Sequence, residues 1–211
     1  MIDTTKSQIL TRKFYIRPLL TVAKDLLGKV LIKKDGNIVL AARIIEVEAY
    51  DGKIDKAAHT YIGITKRNEI MFNEGGYLYV YFTYGAHFCC NIVTGKQNHG
   101  TAVLIRAVEP LLGINIMIEN RFGRDLKSEK EIYNLTSGPG KVCKAFGIDK
   151  SHYGFDLTTS SIFIIDQPKL KKNMIGISKR IGITKSAGLP WRFFEIGNPY
   201  LSKWLLNLKI F

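Results

Sequence analysis

Cysteine is scarce in this chain and badly placed for crosslinking. Three occur in 211 residues, Cys89, Cys90 and Cys143, and two of them are adjacent. An odd count with two neighbours in an apolar stretch argues against a disulfide framework, and three thiols cannot supply the four thiolates of an iron–sulfur cluster. Small buried hydrophobes in a reducing compartment are expected instead. Acid is the second shortage. Eighteen Asp and Glu face 31 Lys and Arg, for a formal net charge of +13. That balance points to polyanionic partners, with a merely basic, Lys/Ile-rich proteome as the plain alternative. Long apolar runs are missing too: no segment approaches about 18 consecutive apolar residues, and the N-terminal stretch has no apolar h-region. A cytoplasmic protein with no membrane partner is expected. Repeats, low-complexity tracts and linker-like stretches are lacking, which leaves one domain over residues 1–211. A chain this long buries about 70% of the surface its unfolded form exposes, so it needs no disulfide or metal staple.

What is present reads as short strands among a few helices. Arg17-Pro18 opens a helix through Leu26-Leu27 that Gly28 stops. Lys29–Lys33 and Ile38–Tyr50 flank Asp35-Gly36, a hairpin signal. Tyr77–Thr83, His87–Val93 and Thr101–Ala107 read as three further strands. Pro110 is expected to start a helix through Ile116-Met117, the polar 124–131 stretch to be a loop, and Gly138-Pro139 to begin a helix ending near Phe146. The expected fold is α+β in a single domain, with a mainly antiparallel, curved sheet flanked by helices and a protruding β-hairpin.

The chemistry concentrates in two of these strands. Glu46-Val47-Glu48-Ala49-Tyr50 closes a β-branched apolar run. Side chains alternate along a strand, so Glu46, Glu48 and Tyr50 share one face and Ile45, Val47 and Ala49 the other. In the second strand Tyr77, Tyr79 and Tyr81 share a face, followed by Tyr84-Gly85 as a strand end or turn. Aromatic faces, a histidine at position 59 and carboxylates suit a pocket for a flat, electron-poor ring. Ser137-Gly138-Pro139-Gly140-Lys141 places free N–H groups and a lysine at a helix N-terminus, a natural anion site. It lacks the spacing of a phosphate-binding P-loop.

In this order the segments Glu46–Tyr50, Ala57-Ala58-His59, Thr65–Asn68 with Met71-Phe72, Tyr79–Tyr81, Tyr84-Gly85, Asn91, Leu104–Pro110, Ser137–Pro139, Arg180–Gly182 and Pro190–Phe193 resemble the alkyladenine (3-methyladenine) DNA glycosylases. No single segment is diagnostic, but the ordered set is specific and spans nearly the whole chain. The resemblance implies a monofunctional glycosylase that flips an alkylated, and in some members deaminated, purine out of duplex DNA and hydrolyses its N-glycosidic bond. It implies that Glu48 activates the water, with Arg106 and the main chain at Ile181 completing the water site. Tyr50, His59 and Tyr81 become the pocket walls, and Asn91 the barrier to guanine's 2-amino group. Tyr84 fills the vacated stack, and Thr65, Arg67, Met71, Ser137, Lys141 and Arg180 lie on the DNA side. No cofactor and no metal site is implied, and a monomer is expected, of bacterial type because the eukaryotic N-terminal extension is missing. Lys169, Lys171, Lys172, Lys179, Lys185 and Arg192 add charge to the C-terminal third, as one side of a DNA groove. The chain departs from some relatives at Ala86-His87, Cys90 and Thr184–Leu189, which bears on damage preference and DNA contacts.

Two rival readings remain at this level. One is a non-catalytic nucleic-acid-binding module of the same fold. The other is a sugar-processing hydrolase using Glu46 and Glu48, which at i,i+2 on one strand face lie roughly 7 Å apart.

Overall fold

In the computed structural model, which describes residues 8–83 and 85–202, a four-residue helical turn, α1 (Arg12–Tyr15), precedes the helix that Pro18 caps, α2 (Leu19–Leu26). Leu19, Val22, Ala23 and Leu26 recur at helical spacing and are buried. Strands β1 (Val30–Asp35) and β2 (Ile38–Asp51) form a hairpin closed by the two-residue turn Gly36-Asn37. After a long loop come β3 (Leu78–Thr83), β4 (His87–Thr94) and β5 (Thr101–Leu112), then helices α3 (Ile114–Phe122) and α4 (Pro139–Phe146). Three short strands follow: β6 (Ile162–Ile165), β7 (Ile175–Ser178) and β8 (Arg192–Glu195). All pairings between these strands are antiparallel, in the order β3-β4-β5-β2-β1-β6, with β8 joining β2 to β7. The α+β fold with a curved, mainly antiparallel sheet is as expected.

One expected element is replaced. Pro110 does not start a helix: β5 continues through it to Leu112, and α3 begins only after Gly113, whose φ of 75° turns the chain. Proline cannot donate to a ladder, so in sheets it is confined to edges and irregularities. Pro110 sits opposite Ala42, where the β2–β5 register slips. The three cysteines are buried and free, as expected.

Strand β2 organises the sheet. One edge pairs with β5, whereas the other is shared, its first half taken by β1 and residues 46–48 by β8. Register shifts between Ile44, Glu46 and Val47 interrupt the β5 pairing. A slip of one residue exchanges the faces of a strand. Before it Leu40, Ala42 and Ile44 belong to the main apolar core, and after it Val47 and Ala49 do. The slip therefore turns Glu46, Glu48 and Tyr50 away from that core, onto the sheet face opposite the one on which α2 and α4 pack. The same alternation sends Leu78, Val80, Cys90 and Ile92 into the core and leaves Tyr79 and Val93 in a separate cluster with Met71 and Ala102.

Glu46 ties this region together. Its carboxylate is fully buried. Oε1 accepts from Arg192 Nε at 2.7 Å, Arg106 Nε at 3.1 Å and Ser202 Oγ at 2.7 Å, and Oε2 accepts from the Ser202 N–H at 2.9 Å. One side chain thus joins β2, β5, β8 and the chain beyond β8. Burial alone would raise the Glu46 carboxyl, but Arg192 and Arg106, followed by Ser202, outweigh it and hold it below the usual glutamate value.

Removing the carboxylate strands two buried guanidinium groups, so Glu46→Ala should destabilise the fold by about 3–5 kcal/mol, read as a lower urea midpoint. A carboxyl lowered in the folded state contributes stability above the ordinary glutamate value and loses it as pH falls through its folded value. Wild-type stability should therefore fall on acidification below the ordinary value of 4.5. The same titration of Glu46→Gln should show a shallower slope, and equal slopes would mean that Glu46 is not the group responsible.

Candidate active site

Turned off the core face, Glu48 is nevertheless fully buried, because its neighbours surround it with donors. The Tyr50 hydroxyl donates to Oε2 at 2.8 Å, and the Ile181 N–H donates to Oε1 at 2.8 Å. Arg106 Nη1 lies 3.3 Å from Oε1. A carboxylate offers about four lone-pair sites, so two hydrogen bonds and this ion pair do not use its full accepting capacity. The Tyr50 phenol stays protonated: burial first, and then the Glu48 charge, push its pKa well up. Arg106 faces both acids, giving Nε to Glu46 and Nη1 to Glu48. The two carboxylates are thereby unequal. Glu46 accepts from two arginines and Ser202, whereas Glu48 accepts two hydrogen bonds and keeps further accepting capacity.

Tyr50, Arg106 and Ile181 form part of the wall of a cavity of about 290 Å³, close to the lower bound of roughly 300 Å³ for ligand pockets. His59, Tyr79 and Tyr81 give it aromatic walls, beside apolar residues such as Met71 and Leu104. Tyr79 and Tyr81, alternate residues of the edge strand β3, stack with centroids 5.4 Å apart and planes 21° from parallel. His59 meets Tyr81 edge-on at 4.6 Å and shares a 2.8 Å hydrogen bond from Nδ1 to the Tyr79 hydroxyl. Burial, helped by Arg67, lowers the His59 pKa to about 4, so near neutrality the ring is uncharged and does not repel a cation. Burial raises Tyr81 and pushes Tyr79 up to about 12, which keeps both as neutral phenols. Asn91, 5% exposed, lines the same cavity, and its amide reaches the Tyr79 carbonyl only at 3.5 Å.

The structure thus brings Glu48, Tyr50, His59, Tyr81, Asn91, Arg106 and Ile181 into one site. Others fall elsewhere. Arg180, expected on the DNA side, is buried: it grips Asp55 with both terminal nitrogens, donates to the Ala49 carbonyl at 2.8 Å and lies 4.5 Å over the Tyr50 ring. A guanidinium with no exposed surface is a brace for the pocket wall, not a phosphate contact. Arg192 is likewise removed from the expected basic surface by its pairing with Glu46. Met71 is buried against the cavity rather than facing outward. Thr65 and Arg67 are exposed, the latter 5.4 Å over the Tyr81 ring. Lys141 Nζ donates to Asn134 and, at 3.3 Å, to Ser137 Oγ, and Ser137, expected on the DNA side, is itself buried. Lys171, Lys172, Lys179 and Lys185 are exposed, and Lys169 pairs with Asp25 at 2.8 Å. Tyr84 lies outside the described residues. The sequence reading missed Tyr79 as a wall, although its alternation with Tyr81 signals it. It also missed Asp55, whose partner lies 125 residues away and leaves no local mark. Among the described residues no group of three or more His, Cys, Asp or Glu could hold a metal ion, and no helix is long and apolar enough to cross a membrane.

The Asp55–Arg180 pair gives a direct test of the brace. Asp55→Ala should cost about 3–5 kcal/mol by leaving the Arg180 charge buried and unpaired, whereas Asp55→Asn, which keeps an acceptor, should cost clearly less. Denaturant melts of the two variants should rank them so; equal losses would mean the charge itself is unimportant.

Comparison with known proteins places the chain in a family. The family model for methylpurine-DNA glycosylase matches residues 13–199. A protein of Alkaliphilus oremlandii is 48% identical over 200 residues, covering 92% of this chain and 98% of its own. One from Chlorobaculum parvum is 44% identical over 191 residues (90% and 88%), and one from Clostridium beijerinckii is 44% identical over 201 (92% and 99%). All three carry the name "Putative 3-methyladenine DNA glycosylase". The chain belongs to the methylpurine-DNA glycosylase family, and it is a DNA glycosylase, a hydrolase of the N-glycosyl bond.

Proposed function

We propose that this glycosylase, acting as a monomer on duplex DNA, flips out a purine alkylated at N3 or N7, and also deaminated purines, and hydrolyses the bond from the base to C1′ with water activated by Glu48. One observation carries the reading: a buried carboxylate held by Tyr50, Ile181 and Arg106, three residues that themselves form part of the wall of a cavity lined with aromatic rings. A base inside a duplex cannot reach such a group and has to leave the stack. Alkylation makes the purine cationic, and cations are attracted to the faces of aromatic rings. Tyr50 and Tyr81 wall the cavity, each with an arginine already over its ring, Arg180 and Arg67 respectively, and neutral His59 adds no further charge.

An alkylated, cationic base is its own leaving group, whereas a neutral deaminated base leaves as an anion that takes up a proton from solvent. As the C1′–N bond breaks, its electron pair returns to the base, which departs neutral where it was cationic, and positive charge develops on the sugar. The Glu48 carboxylate lies where it stabilises that charge, takes a proton from the water, and lets the oxygen bond to C1′. The products are a free base and an intact abasic site. Arg106, the Ile181 N–H and the Tyr50 hydroxyl orient the carboxylate. Asn91 fills the space that guanine's 2-amino group would need. Tyr84 enters the gap left by the flipped nucleotide, while Thr65, Arg67 and Lys141 take the backbone.

Glu48→Gln keeps the shape of the side chain but neither accepts the proton nor offsets the sugar's charge. Single-turnover excision from a methylated duplex should fall by about 10²-fold or more, with binding of that duplex retained. Glu46→Gln, assayed below its melting temperature, should cost far less. If Glu48→Gln excises at the wild-type rate, the wrong carboxylate has been assigned.

Asn91→Ser opens the cavity beside the base. The rate on 7-methylguanine and unmodified guanine should rise relative to that on 3-methyladenine. An unchanged ratio would place discrimination elsewhere.

A further inference from the structure

The β3–β4 hairpin has a second face, and it too carries a cavity, of about 490 Å³. Phe82 and Phe88 stand opposite each other across the hairpin, with ring centroids 5.0 Å apart. Phe82 is 50% exposed, so its ring is held in place by a neighbour on one side and bare on the other. Tyr153, from the loop after the helical turn at 150–152, forms another side of the groove, and Lys66, Arg67 and Lys150 line it as well. Lys66 and Lys150 are exposed, and neither has an ion-pair partner among the described residues. One acid, Glu69, acts on Tyr153, which leaves the groove net positive. Tyr81 borders both this groove and the base pocket.

We propose that this groove is a second nucleotide subsite, which takes one unpaired nucleotide of DNA with its base against Phe82 and Tyr153 and its phosphates on Lys66 and Lys150. The chemistry favours a nucleotide over a purely anionic or purely apolar guest. Exposed aromatic faces stack any base regardless of sequence, and flanking cations follow the backbone. A simple anion would leave the Phe82 ring uncovered, and an apolar guest would leave two lysines unneutralised. The proposal rests on the DNA reading of the neighbouring base pocket only in naming DNA as the source.

The test is a short single-stranded oligonucleotide carrying one 2-aminopurine, whose fluorescence falls when the base stacks. Wild type should bind and quench it. Phe82→Ala should abolish most of the quench and weaken binding about five-fold or more. Lys66→Ala/Lys150→Ala should lower the slope of log affinity against log salt by about 1.4, at roughly 0.7 per neutralised phosphate of a single strand. His59→Ala, which alters the base pocket instead, should leave the quench in place. Free deoxyadenosine monophosphate should compete only weakly if a DNA strand is the true source; competition as strong as that of the oligonucleotide would make the groove a site for free nucleotides and overturn the DNA assignment. Wild-type binding and quench in both variants would overturn the subsite. Excision from a methylated duplex by Phe82→Ala at saturating protein should match wild type. Failure of the wild type to excise would defeat the glycosylase mechanism and leave the quench comparison intact.

Discussion

Two arginines make the active site possible. Glu46 and Glu48 are both fully buried within two residues of each other, an arrangement that like-charge repulsion and desolvation each oppose. Arg106 lies between them and contacts both, while Arg192 completes the shell of Glu46. The pairing divides the labour. Glu46 spends its oxygens on two guanidinium groups and Ser202, and in doing so ties together β2, β5, β8 and the chain after β8. Arg106, anchored at Nε by Glu46, then presents Nη1 to Glu48 in a set orientation. Glu48 is thus oriented through Glu46, and the strand slip near Ile45 puts both on the same side of the sheet.

The pocket is built with the opposite electrostatics. Its rings are neutral: tyrosines are phenols near neutral pH in any case and burial raises them further, and burial holds His59 as neutral imidazole. The cavity therefore presents uncharged rings beside a buried carboxylate, while the Arg106 charge is already committed to the two glutamates. The Asp55–Arg180 pair keeps another buried charge internally neutral while bracing Tyr50 and holding the residue before Ile181. Local neutrality inside and a net charge of +13 overall suit a polyanion outside and a small cationic group within. The second groove extends that logic to the outer face of the hairpin, where rings and unpaired lysines lie side by side.

Much of the fold was legible because the signals were local. Pro18 and Gly28 bound α2, Gly138-Pro139 opens α4, and alternation marks β3 and β4. Pro110 misled because a proline followed by aliphatic residues reads as a helix start, and only the β2 partner with its register slip makes a strand tolerable there. Among the site residues, Glu48, Tyr50 and Tyr81 could be placed on a face by alternation alone, and the resemblance supplied His59, Asn91, Arg106 and Ile181. Arg180 and Arg192 were misplaced, because a basic residue in a basic segment reads as surface until its acid is found.

The sequence by itself determined the alternation that groups Glu46, Glu48 and Tyr50, the aromatic face of β3, the free cysteines and the positive charge, all of which depend on residue type and spacing of a few positions. Tertiary structure decided which carboxylate is free. That depends on donors contributed from residues 106, 181, 192 and 202, brought to one point by strand pairing across as many as 156 positions. It also decided which arginines face water, because a guanidinium is exposed or buried according to whether folding delivers a carboxylate to it, and no local pattern records that delivery.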